Sequence, residues 1–421
     1  MPKCFRRFYK SVSVIKITPL KALILFFLFL LLGFLRIQTP SIKDYEAIVE
    51  ANNEFALSLY KYYSQKFKNE NIFFSPISIS CGFAMLYEGA RGKTAEEIEK
   101  VFHFPKEEKA RREGYLYFFK NFRGKREFEK SFHEISIANG LWAQKDYPFL
   151  KNFFKIAKNF YLGKVENIDF QGNPEGARRT INRWVERETK GKIRDLLPHH
   201  SIDKLTRLVI ANSIYFEGIW ENLFQAGYTK KEYFKISPSK SVKVPMMRYG
   251  YAKKLNYGET ADLQILEMPY LWGDISCLVL LPKGNSLDKL EKSLNKENLK
   301  KWRKMLREES VLVYFPKFKM ERSYSLKEDL IKMGVSRVFN EFLADWSGMT
   351  KQRGLFLDNA YHKSFIEMTE NGTVAGAGTS GPIAGAMALY TFRADHPFVF
   401  IIQERKTGNI LFIGRFINPK S

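Results

Sequence analysis

Cysteine is nearly absent. The 421 residues carry three, Cys4, Cys81 and Cys277. So few thiols, so far apart, exclude a disulfide-stapled scaffold. Cys81 lies in an apolar helical pattern and Cys277 in an apolar strand pattern, so both read as small buried hydrophobes. Cys4 precedes an apolar N-terminal run and is expected in a different compartment from the rest. Histidine is also scarce, at six, and neither CxxC nor HExxH occurs, so no metal and no cofactor is expected.

Long apolar runs are few. The one at the N-terminus spans Ala22 to Leu35, behind Lys3, Arg6, Arg7, Lys10, Lys16 and Lys21. Its 14 residues make about 21 Å of helix. That is short against a hydrocarbon core ~30 Å thick and suits the centre of a signal peptide. Extended from Ile17 to Ile37, with Lys21 and Arg36 snorkelling, the segment spans a membrane. No small-x-small cleavage pattern closely follows Leu35, which favours an uncleaved anchor over a cleaved signal. Residues 1–40 are therefore expected to be a signal peptide or signal anchor. Residues 41–421 are expected outside the cell, secreted or held at the outer face of the membrane.

Acidic residues are outnumbered. Lys and Arg total 68 against 45 for Asp and Glu, a formal net charge of +23. The basic residues are scattered, without a nucleic-acid motif, and read as a solvated surface with an affinity for acidic partners. No nucleic-acid partner is expected. A hydrophobic fraction of 45% permits one large core, and no internal repeat or second domain is evident.

Charge is missing altogether from one stretch. Between Asn371 and Phe392, in a chain that is 27% charged, there is no charged side chain. The sequence there, ENGTVAGAGTSGPIAGAMALYT from Glu370, is crowded with Gly, Ala, Ser and Thr. Such a segment cannot fill a core and lacks the charge of a solvated tail. Its first half alternates like a strand: Thr373, Ala375, Ala377 and Thr379 share one face, and Val374, Gly376, Gly378 and Ser380 the other. Small side chains of this kind can slide between strands already in place.

The flanks are specific. His362-Lys363-Ser364-Phe365-Ile366-Glu367-Met368-Thr369-Glu370 leads in and Arg393-Ala394-Asp395-His396-Pro397-Phe398 leads out. With the small-residue run, they resemble the hinge, reactive loop and C-terminal signature of the serpins. The resemblance extends over about residues 45–419. It takes in Asn71-Ile72-Phe73-Phe74-Ser75-Pro76-Ile77-Ser78, Ile181-Asn182-Arg183-Trp184-Val185 and Ala211-Asn212-Ser213-Ile214-Tyr215-Phe216-Glu217-Gly218-Ile219-Trp220.

The resemblance implies an α+β fold with a large central mixed sheet, surrounding helices, a second smaller sheet and an exposed loop at about 370–391. It implies a monomeric inhibitor that acts as a suicide substrate for a serine protease. The loop is cleaved to an acyl-enzyme, and the freed arm enters the sheet as a new strand. Hinge residues would be Glu370, Gly372, Thr373, Ala375, Gly376, Ala377, Gly378 and Thr379. Ser75, Ser78, Asn212 and His362 would bond beneath the sheet where it parts. Trp220 would stand where the loop goes in, and Lys317 would pair with Glu370. Before cleavage the loop is expected to be stored outside the sheet.

Counting 16 residues on from Glu370, or 11 back from Pro397, gives Ala386, so the expected scissile bond is Ala386–Met387. A small residue there favours elastase-like or subtilisin-like targets. A slip of one to four residues brings Met387, Leu389 or Tyr390 into place and points to chymotrypsin-like ones. Pro382 departs from the pattern, because it cannot donate to a central ladder.

Two other functions stand beside inhibition: a non-inhibitory binding or carrier protein of the same fold, and a membrane-anchored polyanion-binding protein. An enzyme is not expected. Gly378-Thr379-Ser380-Gly381-Pro382 resembles the nucleophile turn of chymotrypsin-like proteases but lacks the acidic residue before the serine. No GxSxG elbow occurs.

Local patterns set further expectations. They predict a helix over Tyr45–Phe67, a cap at Ser75 with Pro76 in the first turn, and a cap at Thr94. Leu208–Phe224 reads as a buried strand broken by Gly218, and Leu287–Leu306 as one amphipathic helix.

Overall fold

A computed structural model describes residues 41–122, 133–285, 287–373 and 389–420. The basic N-terminal segment lies outside them, as do Ala375 to Thr379 and the bond Ala386–Met387. Among the described residues, no helix is long and apolar enough to cross a membrane. From Ile42 onward these residues belong to one compact unit.

The helices are α1 (Ile42–Lys66), α2 (Pro76–Gly89), α3 (Gly92–Phe102), α4 (Glu108–Phe122), α5 (Lys151–Tyr161), α6 (Pro174–Glu188), α7 (Leu287–Ser293), α8 (Lys296–Met305) and α9 (Lys327–Met333). The strands are β1 (Ile72–Phe74), β2 (His133–Gln144), β3 (Lys164–Ile168), β4 (Leu208–Ile219), β5 (Lys230–Ser237), β6 (Lys240–Arg248), β7 (Lys253–Glu259), β8 (Leu263–Pro269), β9 (Ile275–Pro282), β10 (Arg307–Pro316), β11 (Phe318–Ser325), β12 (Ala360–Thr369), β13 (Gly372–Thr373), β14 (Tyr390–Arg393), β15 (Phe398–Glu404) and β16 (Ile410–Phe416).

The strands form two mixed sheets. The larger has ten strands in the order β1-β16-β15-β9-β8-β7-β10-β6-β5, with β14 added parallel to β10. The smaller has six, in the order β11-β12-β13-β4-β2-β3, and it holds the longest strands. The α+β architecture implied by the sequence is present.

Period-two alternation places both faces of the six-stranded sheet against apolar layers. On one face Ile210, Ile214 and Phe216 join the main core with α1 and α2. On the other, Val209, Ala211 and Tyr215 meet Ile181, Trp184 and Val185 of α6. A strand covered on both sides reads as a near-continuous hydrophobic run, which is how β4 reads. Helix α6 is held across the sheet by Trp184, edge-on to Trp142 at 5.7 Å, and by Asn182, which exchanges two 2.9 Å bonds with the Leu197 backbone.

Local signals explain most element ends. Apolar positions recur at three and four through α1, and Tyr45, Ile48, Phe55, Leu59 and Tyr63 are all buried. Ser75 caps α2 by accepting the Ser78 N–H, with Pro76 in the first turn. Thr94 does not cap α3, which begins at Gly92. Its hydroxyl instead accepts the Asp345 N–H, 2.9 Å away, tying the helix to a distant loop. The span Leu287–Leu306 is two helices, because Asn295 accepts the Asn298 N–H and starts α8 afresh. Gly218 lies inside β4 without breaking it, since strand geometry tolerates glycine where a neighbouring backbone comes close.

Glu88 pins three helices behind the sheet. Its carboxylate on α2 accepts from Arg111 and Arg112 of α4 and from the Tyr161 hydroxyl of α5, at 2.6–2.9 Å. Glu88 and Arg111 side chains are 2% and 6% exposed, so neither is screened by water. Glu88→Ala leaves a buried guanidinium unpaired and is expected to cost about 3–5 kcal/mol of stability. Chemical denaturation against Glu88→Gln, which keeps two hydrogen bonds, measures the charge component.

Candidate functional site: a strand pair parted at one end

Two central strands of the six-stranded sheet meet over only part of their length. β12 and β4 pair directly in parallel, from Ala360 opposite Ile210 to Phe365 opposite Tyr215. Beyond that they part, and β13 fills the gap antiparallel to both. Thr373 sits opposite Met368 and Gly218, and Gly372 opposite Thr369 and Ile219. The sequence reading placed the whole loop outside the sheet before cleavage; Gly372 and Thr373, near its start, are already inside.

Glycine is required at both sides of this junction. Gly372 adopts φ +144, and a Cβ there would lie 2.0 Å from the Gly218 carbonyl oxygen. A Cβ on Gly218 would strike the Phe216 and Tyr270 rings at 2.7–2.8 Å. The residues that flank the inserted pair are bonded too. Trp220 N–H donates to Asn371 O, and Phe224 N–H to Glu370 O, both at 2.9 Å. Trp220 stacks on Tyr270 at 4.3 Å and donates its indole N–H to Thr369 O. The Tyr270 hydroxyl lies 2.6 Å from the Thr373 hydroxyl, which itself contacts the Met368 sulfur.

Glu370 anchors the base. It accepts from Lys317 Nζ at 2.8 Å and from the Thr229 hydroxyl at 2.9 Å. Burial alone would raise its pKa, but the Lys317 and Thr229 bonds prevail and hold the carboxyl below its ordinary value. The Glu370 side chain is only 13% exposed against 43% for Lys317, so water reaches the pair from the lysine side.

Beneath the closed half runs a row of polar side chains. Asn139, Asn212 and His362 are cross-strand neighbours on β2, β4 and β12. Asn212 donates to Asn139 Oδ1 at 2.6 Å and accepts from the Ser78 hydroxyl at 2.9 Å. His362 Nε2 accepts the Ser75 N–H at 3.1 Å, so the ring is neutral there and its Nδ1–H donates to Asn212 Oδ1 at 2.8 Å. Burial pushes the His362 pKa down to about 3. Ser75 donates in turn to Leu411 O at 2.6 Å.

The structure thus brings together Ser75, Ser78, Asn212 and His362 in one network, and Glu370, Gly372, Thr373, Trp220 and Lys317 in another. Sequence reading did not single out Tyr270, Thr229 or Asn139 for the site. Tyr270 follows Pro269 at the end of β8, and nothing in that local pattern says that its hydroxyl meets a hinge over one hundred residues away. Of all these groups, His362 is a neutral, fully buried imidazole, and none is arranged as a nucleophile and base pair.

Gly372→Ala is expected to expel the two inserted residues. Losing one or two backbone bonds at ~0.5–1.5 kcal/mol each accelerates amide exchange at Trp220 and Phe224 about tenfold. Hydrogen-exchange mass spectrometry across 218–226 reads this directly. His362 gives a pH signature. Its folded pKa lies below the ordinary 6.5, so below that pH the unfolded chain gains a proton that the folded one refuses. Stability is full above about pH 6.5 and falls toward pH 3 at up to ~1.4 kcal/mol per unit. Replacing His362 with Asn should flatten the slope of unfolding free energy by about one proton between pH 6 and 4.

The chain matches the serpin family, described as serine protease inhibitor, over residues 50–419. It is 41% identical to an uncharacterized serpin-like protein of Thermococcus kodakarensis, across 89% of this chain and 86% of that one. It is 37% identical to leukocyte elastase inhibitor A of Rattus norvegicus, across 89% of this chain and all of the relative. Among solved structures it superposes on uncleaved ovalbumin with a TM-score of 0.81 and 33% identity, again over 89% of this chain and all of the other. The family match takes in the parted strand pair and its glycine junction, and the chain belongs to the serpin family.

Proposed function

We propose that the protein inhibits serine proteases as a suicide substrate, by inserting a cleaved loop into its six-stranded sheet. The observation that carries this reading is the position of Gly372 and Thr373, already paired between β4 and β12 at the mouth of the closed half. Residues 374 onward continue that strand in sequence, and Ala375, Ala377 and Thr379 would face the same way as Thr373. In this reading Ser75, Ser78, Asn212 and His362 are the groups that exchange partners as the sheet opens. Trp220 and Lys317 position the hinge, and no residue of this chain is catalytic.

The energetics suit a trap. The protease attacks the bond, Ala386–Met387 by register, and is held as an acyl-enzyme. Some 14 freed residues at ~3.3 Å each span about 46 Å of strand. At ~0.5–1.5 kcal/mol per net backbone bond, their insertion yields on the order of 10 kcal/mol. A domain's whole stability is ~5–15 kcal/mol, so the released energy is sufficient to distort a tethered protease. The small residue at the expected cut, Ala386, favours elastase-like or subtilisin-like targets, and trypsin-like ones are disfavoured because no Lys or Arg precedes Arg393 in the loop.

Pro382 favours a second reading, a non-inhibitory binding protein of the same fold, because it removes one donor from the inserting strand. One experiment separates the two. Incubation with subtilisin-like and elastase-like proteases is expected to give a complex that survives SDS, and the loop-cleaved protein should melt at least 20 °C above the intact one. Clean cleavage with no complex and an unchanged melting temperature would leave the second reading standing.

A further inference from the structure

The outer face of the β5–β6 hairpin is built like a contact surface. Residues 230–248 hold five lysines and one arginine against a single acid, Glu232. Alternation puts Lys231, Tyr233 and Lys235 of β5 on one face, opposite Pro245, Lys243 and Ser241 of β6. All six are exposed. Glu232 belongs to the other alternation and is engaged by Arg393. Among the described residues, none of Lys231, Lys235 or Lys243 makes an ion pair, so their charge is directed outward. The inner face is closed by Phe234 against Phe416 and by buried Val244.

Lysines on an edge strand block unwanted strand addition, and β5 is an edge. That accounts for Lys231 and Lys235. It does not account for Tyr233, 62% exposed at the centre of the patch with the Lys243 ammonium 5.3 Å from its ring. Lys243 is covered by the same argument as the two β5 lysines, since β10 joins β6 only from Met246 to Arg248 and Lys243 pairs with β5 alone. An exposed aromatic set among outward cations is the composition of an interface centre, not of edge protection.

The hairpin also touches both ends of the reactive segment. Thr229, just before β5, donates to Glu370 ahead of the hinge. Beyond the segment, Arg393 pairs with Glu232, and the Lys235 N–H donates to Asp395 O at 2.7 Å. A protein that binds between these two flanks therefore comes within reach of the hairpin.

We propose that the outer β5–β6 face is an accessory docking surface for the attacking protease, and that this protease carries an acidic strip beside its cleft. The inference rests on the inhibitory reading and narrows it, selecting acidic proteases among the elastase-like and subtilisin-like classes. Opposite charges across such a contact act chiefly on the rate of encounter and fade with salt.

The test uses the full chain, the triple variant Lys231→Glu/Lys235→Glu/Lys243→Glu, and Tyr233→Ala. Against an acidic subtilisin-like protease, the triple variant is expected to form covalent complex about tenfold more slowly at ~50 mM NaCl, with the gap closing above ~0.5 M. Tyr233→Ala should slow it severalfold at both salts. The number of inhibitor molecules consumed per protease should not change, since insertion is untouched. A basic elastase-like protease should show no loss. The same variants are then tested for reversible binding to the acidic protease with its catalytic serine replaced by alanine. Unchanged rates and unchanged reversible binding overturn the proposal. So does loss of retention on heparin with protease encounter intact, which assigns the patch to a polyanion. If the wild type yields no covalent complex while patch-dependent binding to the inactive protease persists, the docking surface stands and the inhibitory reading falls.

Discussion

The pairing of β12 with β4 is the constraint on which the rest of this structure depends. Six residue pairs hold the two strands together, and two inserted residues hold them apart. A sheet cannot be both closed and open along one pair of strands without a residue at the fork that lets the backbones converge. Gly372 and Gly218 meet there because no side chain fits on either. The junction is tightened further where Tyr270 bonds Thr373, Thr369 bonds Gly372 and Trp220 bonds Thr369.

Below the fork the same two strands are joined by side chains as well as backbone. An apolar contact between Asn212 and His362 positions would close the sheet equally well, and with less desolvation cost. Polar groups differ in being able to trade partners. Asn212 makes four bonds to three neighbours on β2, α2 and β12 at once, so a strand arriving between β4 and β12 would meet donors and acceptors that can be reassigned. The neutral imidazole of His362, fixed by its acceptance of the Ser75 N–H, ties this row to the cap of α2 beneath. Helix α2 in turn is anchored through Glu88 to α4 and α5, so the lower half of the pair rests on a rigid platform.

Much of this was legible in the chain. Helix α1 and the α2 cap follow from apolar spacing and from Ser75-Pro76, both local. An uncharged run marked the segment that follows Glu370, and the pairing of Lys317 with that residue was expected from the resemblance. Legibility failed where a distant group decides the outcome. Thr94 looked like a cap because its local neighbours suit one, yet its hydroxyl is taken by Asp345. Gly218 looked like a strand breaker, yet its missing side chain leaves the space that the Phe216 and Tyr270 rings occupy. The division of Leu287–Leu306 is different: Asn295 is a local cap that amphipathic spacing on both sides obscured.

By itself, the order of residues determined which segments are strands or helices, which faces are apolar, and that residues 371–392 could neither fill a core nor remain a charged tail. Those properties depend on period and composition, which are written along the chain. Only the folded molecule decided how far the hinge has entered the sheet. That depends on Tyr270 meeting Thr373 and on Gly218 facing Thr373, contacts between groups more than one hundred residues apart. Their energies exist only once both sheets are in place.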